Sequence, residues 1–101
     1  MKVVNDSQPR VAIVTGGAKG IGRGCALELA ACGMDIALVD LLDDELARTK
    51  SEIEALGRRC LTFHADVADF AAAQKIGADI ANQWGRIDVL FNNAGKANPK
   101  G

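Results

Sequence analysis

The chain has 101 residues, 49% hydrophobic and 25% charged, the balance of a soluble globular protein rather than a disordered or fibrous one. Twelve Lys and Arg against thirteen Asp and Glu leave a net charge of -1, which offers no electrostatic footprint for nucleic acid or for an anionic membrane. The length suits one domain. No apolar run approaches the ~20 residues that span a bilayer. The N-terminal MKVVNDSQPR turns polar too early for a secretory signal, so the expected location is the cytoplasm.

The first element is Val11-Ala12-Ile13-Val14-Thr15, a continuous apolar run that suits a strand buried on both faces. It ends in the glycine-rich Gly16-Gly17-Ala18-Lys19-Gly20-Ile21-Gly22, which opens a helix predicted from Gly20 to about Cys32 and stopped by Gly33. Ile36 to Val39 reads as a second buried strand ending at Asp40. A helix follows from Asp43 to Leu56, with Asp43-Asp44-Glu45 as its acidic first turn and Leu46, Thr49, Ile53 and Leu56 as its apolar stripe.

Cys60 to His64 is the third strand, in which His64 reads as a packed strand residue rather than a base. Asp69 is the expected N-cap of the next helix, whose stripe is Phe70, Ala73, Gly77, Ile80 and Trp84 and whose stop is Gly85. Ile87 to Phe91 is a fourth strand running into Asn92-Asn93-Ala94-Gly95. Strand–helix alternation of this kind predicts an α/β fold of parallel strands joined by right-handed crossovers. Its four parallel strands would lie in the order 3-2-1-4, the first part of a doubly wound sheet. In such sheets ligands sit beyond the carboxyl ends of the strands, near the switch point between strands 1 and 4.

The residues at those ends carry the chemistry. A turn so rich in glycine lets backbone approach a ligand closely, and the helix it opens presents N–H groups and a positive dipole end, a ready anion site that fits a pyrophosphate. The spacing is G-x3-G-x-G, neither the common G-x-G-x-x-G fingerprint nor a P-loop. The bland alternative is a structural tight turn. Asp40, 18 residues past Gly22, can accept hydrogen bonds from ribose hydroxyls. It also repels a 2′-phosphate, by on the order of 4 kcal/mol for like charges ~4 Å apart at an effective dielectric near 20. That sign favours NAD over NADP; Lys19, a cation within the turn, keeps NADP open. A capping or solvated aspartate is the alternative at Asp40. Asp66-Val67 can hold an adenine ring, or be a capping aspartate and a core valine. The two amides of Asn92-Asn93 can tie neighbouring loops together, or form only a turn.

The cysteines, Cys25, Cys32 and Cys60, are odd in number and form no CxxC pair. Neither a disulfide framework nor a metal site is indicated, and all three read as small buried apolar residues.

Together TGGAKGIG at 15–22, Asp40, Asp66-Val67 and NNAG at 92–95 resemble the short-chain dehydrogenase/reductase family, over about residues 10 to 95. They look most like its 3-oxoacyl-carrier-protein reductase branch and the related alcohol and polyol dehydrogenases. The resemblance implies a Rossmann-type fold, a nicotinamide cofactor and hydride transfer to or from a carbonyl or alcohol substrate. It implies that Gly16, Gly17, Lys19, Gly20, Ile21 and Gly22 surround the pyrophosphate, with the Ile21 backbone N–H donating. It further implies Asp40 on the adenosine ribose, Asp66 and Val67 on the adenine, Asn93, Ala94 and Gly95 along the nicotinamide ribose, and a homo-oligomeric full-length protein. The family's chemistry uses an Asn, a Ser and a Tyr-x-x-x-Lys downstream of NNAG. This sequence has no tyrosine, so no catalytic residue is assigned, and residues 1–101 are expected to be a cofactor-binding part that does not turn over.

A fourth strand that is apolar on both faces yet lies at the sheet edge would expose unpaired backbone and apolar surface. Poor solubility or marginal stability is expected. The other reading is a complete small protein that binds a nucleotide or a partner subunit without catalysis, with an adenosyl-binding methyltransferase domain as a more distant third.

Overall fold

The computed structural model describes residues 8–66 and 68–93. Its elements run β1 (Val11–Thr15), α1 (Gly20–Ala31), β2 (Asp35–Asp40), α2 (Asp43–Ala55), β3 (Cys60–His64), α3 (Phe70–Trp84) and β4 (Val89–Asn92). All three strand pairings are parallel, and the sheet order is β3-β2-β1-β4. This is the predicted first part of a doubly wound sheet. The register aligns Thr15 with Val39 on one side and Asn92 on the other, and Asp40 with His64, so the four strands end level with one another.

Alternate residues of each strand feed two cores. Ala12, Val14, Ile36, Leu38 and Cys60 meet α1 and α2 through Ala26, Ala30, Leu46 and Ile53. On the other face Val11, Ile13, Ala37 and Val39 meet Ile76 and Ile80 of α3. β1 and β2 are central and covered on both sides, which is why they read as unbroken apolar runs.

The periphery departs from the sequence reading in five places. Leu56 follows the end of α2 and is half exposed, so the buried stripe of that helix stops at Ile53. On α3 the buried seam is Ile76 and Ile80 with Trp84 beside it, whereas Phe70 opens the helix and is 74% exposed. His64 is exposed, its Nδ1 lying 2.7 Å from Asp43 Oδ1, and is not packed in the sheet. Of the cysteines only Cys60 is buried; Cys32 is exposed and Cys25 intermediate. β4, expected from Ile87, begins at Val89, and Leu90 is 62% exposed. Among the described residues nothing lies beyond the outer edge of β4, and only α3 covers its face of the sheet.

Candidate functional site

The carboxyl ends of β1, β2 and β4 meet around the glycine-rich turn. Gly16 continues the β1–β2 ladder, its N–H donating to the Val39 carbonyl at 2.8 Å, and then takes a positive φ of 66° that reverses the chain. Gly22 lies in the first turn of α1 directly against the Gly16 carbonyl. A Cβ at Gly22 would occupy the same space as that carbonyl and come within 3.1 Å of Asn93 Nδ2. Glycine is required here so that helix, turn and the loop after β4 can touch.

That loop is tied down by Thr15. Its hydroxyl donates to Asn92 Oδ1 at 2.8 Å and accepts the Asn93 N–H at 2.9 Å. One of the two side-chain amides, that of Asn92, and the backbone of Asn93 therefore tie the end of β4 to the end of β1. Asn93 is thereby brought to the turn, while Val67, Ala94 and Gly95 lie outside the described residues.

Asp40 faces the turn from the end of β2. Its Oδ2 accepts the Ala18 N–H at 3.1 Å, and its Oδ1 accepts the N–H groups of Leu41 (2.7 Å) and Leu42 (3.3 Å). The turn-capping alternative is thus real, and the same carboxylate also pins the glycine turn. Asp66 is exposed and accepts the Ala68 N–H at 2.9 Å, a local Asx turn leading to Asp69, which caps α3 by accepting from Ala72. No described hydrogen bond links Asp66 to the glycine turn.

The mouth of the site is polar and accessible. Lys19 and Ile21 are exposed at the start of α1, where no acidic side chain stands in the first turn and Lys19 supplies no side-chain cap. Under the turn Arg23 of α1 makes a bidentate ion pair with Glu52 of α2, at 2.8 and 2.7 Å. The Arg23 guanidinium holds the Glu52 carboxyl below its ordinary value of 4.5. A cavity of about 190 Å³ opens beside the strand ends, between Thr15, Asp66, Ile76 and Leu90.

Two contributors escaped sequence reasoning. Thr49 was counted as part of an apolar stripe, but its buried hydroxyl donates to the Ala18 carbonyl at 2.9 Å; a lone hydroxyl on an apolar stripe was the available signal. The Arg23–Glu52 pair spans 29 residues and has no local signature. Gly17, part of the turn read from the sequence, is also needed for space, since a Cβ there would come within 2.7 Å of Leu38 Cδ2.

The fold and this cluster of strand ends define an α/β protein with a glycine-rich strand-to-helix turn at a topological switch point. The family model for short chain dehydrogenases matches residues 10–101, and the chain belongs to that family. It is 42% identical over 90 residues to the 2,3-dihydro-2,3-dihydroxybenzoate dehydrogenase of Bacillus subtilis, covering 89% of this chain and 34% of that protein. Among solved structures it resembles an NAD+-bound xylitol dehydrogenase, with a TM-score of 0.82, 33% identity, and 86% of this chain and 34% of that one covered. The L-sorbose reductase of Gluconobacter frateurii, complexed with NADPH and L-sorbose, is similar at a TM-score of 0.82 and 32% identity, with 89% and 35% covered. The chain spans about a third of the length of the curated relatives it matches.

Proposed function

We propose that this chain is the dinucleotide-binding part of an NAD(P)-dependent oxidoreductase that moves a hydride between a nicotinamide and a carbonyl or alcohol carbon. The observation that carries the reading is the contact of Gly22 with the Gly16 carbonyl and Asn93, which sets an uncapped helix start at the switch point of the sheet. A pyrophosphate suits that start, because the N–H groups and dipole of α1 favour a diphosphate and no acidic side chain in the first turn opposes it. Gly16, Gly17, Gly20, Ile21 and Gly22 would line it.

Asp40 would take a ribose hydroxyl. Its two oxygens offer about four lone-pair sites, and three backbone N–H groups already use them, which leaves one. Its negative charge favours NAD, while exposed Lys19 offers a counter-charge to the extra phosphate of NADP. Asp66 with Val67 would meet the adenine, and Asn93, Ala94 and Gly95 the nicotinamide ribose. When bound, the nicotinamide supplies the hydride chemistry; these residues bind and orient it.

With no tyrosine among the 101 residues, a Tyr-x-x-x-Lys proton-transfer pair has to be supplied from outside them, and the chain alone is expected not to turn over. For the whole protein we propose a secondary alcohol or carbonyl substrate, a homo-oligomer and a cytoplasmic location. Among the described residues no helix is long and apolar enough to cross a membrane. The exposed Val89 and Leu90 favour one second reading, a non-catalytic nucleotide-binding or subunit-interaction protein.

Titration of the 15N-labelled chain with NAD+ and NADP+ tests the first reading. Amide shifts clustered at residues 16–23, 40–42 and 93, with NAD+ the tighter, are expected. Shifts from neither dinucleotide would reject it, and tighter NADP+ would reject the NAD preference alone. Turnover of a secondary alcohol by the pure chain would refute the expected inactivity.

A further inference from the structure

We infer that Thr49, on the buried face of α2, is a positioning residue for the glycine-rich turn: its hydroxyl fixes the Ala18 carbonyl and so sets the backbone that meets the dinucleotide. The inference rests on the cofactor reading above.

Thr49 has no exposed surface and stands between Leu46 and Ile53 on the side of α2 that faces the sheet. A helical threonine commonly turns its hydroxyl back onto its own helix. This one instead donates to a carbonyl 31 residues away, at 2.9 Å. Ala18, also without exposed surface, is the middle of the turn. Its N–H is held by Asp40 Oδ2 at 3.1 Å, so β2 grips the residue from one side and α2 from the other.

The grip matters because the turn has glycines on both sides of Ala18, the residue type with the widest backbone freedom. Gly16 and Gly20 both take positive φ, at 66° and 63°, and a Cβ at Gly20 would touch nothing within 4 Å. Gly17 packs against Leu38 without a side chain of its own and Lys19 is exposed, so neither holds the turn through a side-chain hydrogen bond to the core. Ala18 is the residue of the turn held by side chains of both β2 and α2. Without the Thr49 hydroxyl its carbonyl loses a buried donor, and the turn can relieve that loss by rotating at the flanking glycines. Rotation moves the start of α1, where the pyrophosphate is placed.

The test compares isosteric and hydroxyl-keeping variants of the 101-residue chain by NADH titration, each with its melting temperature. Thr49→Val keeps the shape and loses the hydroxyl; an affinity loss of about tenfold is expected. Thr49→Ser keeps the hydroxyl and loses a methyl; near-normal affinity at a lowered Tm is expected. Ile53→Val trims the same buried face away from the turn and should lower Tm while leaving affinity unchanged. Unchanged affinity in Thr49→Val overturns the inference, as does an equal loss in Thr49→Ser or in Ile53→Val. No NADH binding by the unsubstituted chain overturns the cofactor reading, and this inference with it.

Discussion

The two ends of the sheet solve the same problem in opposite ways. At the amino end, charged side chains close over the strand starts. Asp35 is fully buried, yet it accepts the Arg59 N–H at 3.0 Å and the Arg59 guanidinium at 2.8 and 2.6 Å. Arg59 in turn lies 4.7 Å over the Trp84 ring, which fastens α3 to the start of β3. Asp88 accepts the Val11 N–H at 2.8 Å and a bidentate pair from Arg86, locking β4 to β1. At the carboxyl end the strand ends are tied through backbone and amides, ion pairs join Arg23 to Glu52 and His64 to Asp43, and Lys19 and Asp66 stay exposed. The amino end closes over its charges, whereas the carboxyl end leaves Lys19 and Asp66 facing solvent.

If that division is real, damage at the amino end should cost stability without touching the site. Asp35→Ala removes one member of a buried ion pair and leaves the Arg59 N–H without its partner. Arg59 is itself half exposed, so the loss should fall near the lower limit for broken buried pairs, about 3 kcal/mol. A Tm drop of about 12 °C or more is expected, with dinucleotide affinity unchanged below the melt. A large loss of affinity would show that the ends are coupled and break the comparison. Thr15→Val is the reciprocal change at the carboxyl end. It removes the bonds to Asn92 and Asn93, about 1–2 kcal/mol, and should weaken dinucleotide binding more than Asp35→Ala does. Thr15→Ser should restore both.

The same contrast explains what the sequence made legible. β1 and β2 are parallel strands buried on both faces, so burial wrote itself into continuous apolar runs, and element order then implied the sheet order. The glycine turn was visible because steric need at Gly22 leaves a residue-type signature. Long-range polar partners left none. Asp35 is one residue before an apolar run, and nothing local shows that Arg59, 24 residues on, will neutralise it. Thr49 hid inside a stripe whose period it satisfied. Phe70 fitted the α3 periodicity but opens the helix, before the turns that meet the sheet at Ile76 and Ile80. Periodicity reports which face of a helix is apolar; it does not report where along its length the neighbour lies.

Acid should sharpen the comparison further. Arg86 holds the Asp88 carboxyl below its ordinary 3.8, with the Val11 N–H adding to the effect, and Arg23 holds Glu52 below 4.5. A carboxyl whose folded value is depressed contributes stability that is complete above its ordinary value and is lost as pH falls through the folded one. The melting temperature should therefore be flat from neutrality down to about pH 5 and fall below about pH 4. Arg23→Gln and Arg86→Gln should each flatten that acid limb, Arg86→Gln incompletely, because the Val11 N–H still holds the Asp88 carboxyl down. An acid limb unchanged in Arg86→Gln would mean that the amino-end clamp adds nothing to stability.

Thiol reactivity reads the closure of the amino end directly. Cys60 begins β3 beside Ile36, in the core under α2, and burial pushes its thiol up to about 12. Cys25 is raised too, by burial and then by the charge of Glu28, while Cys32 is exposed at the end of α1. A disulfide reagent at neutral pH should find Cys32 first, Cys25 next, and Cys60 only when the chain opens. Because Cys60 reacts from the open state, its rate should rise about a hundredfold in Asp35→Ala, the fold-change that ~3 kcal/mol implies, and by only about tenfold in Thr15→Val. Cys32 should react at the same rate in all three chains. If Cys60 instead reacted as fast as Cys32 in the unsubstituted chain, the amino end would be open in solution, and the buried Asp35–Arg59 pair could not be what holds it shut.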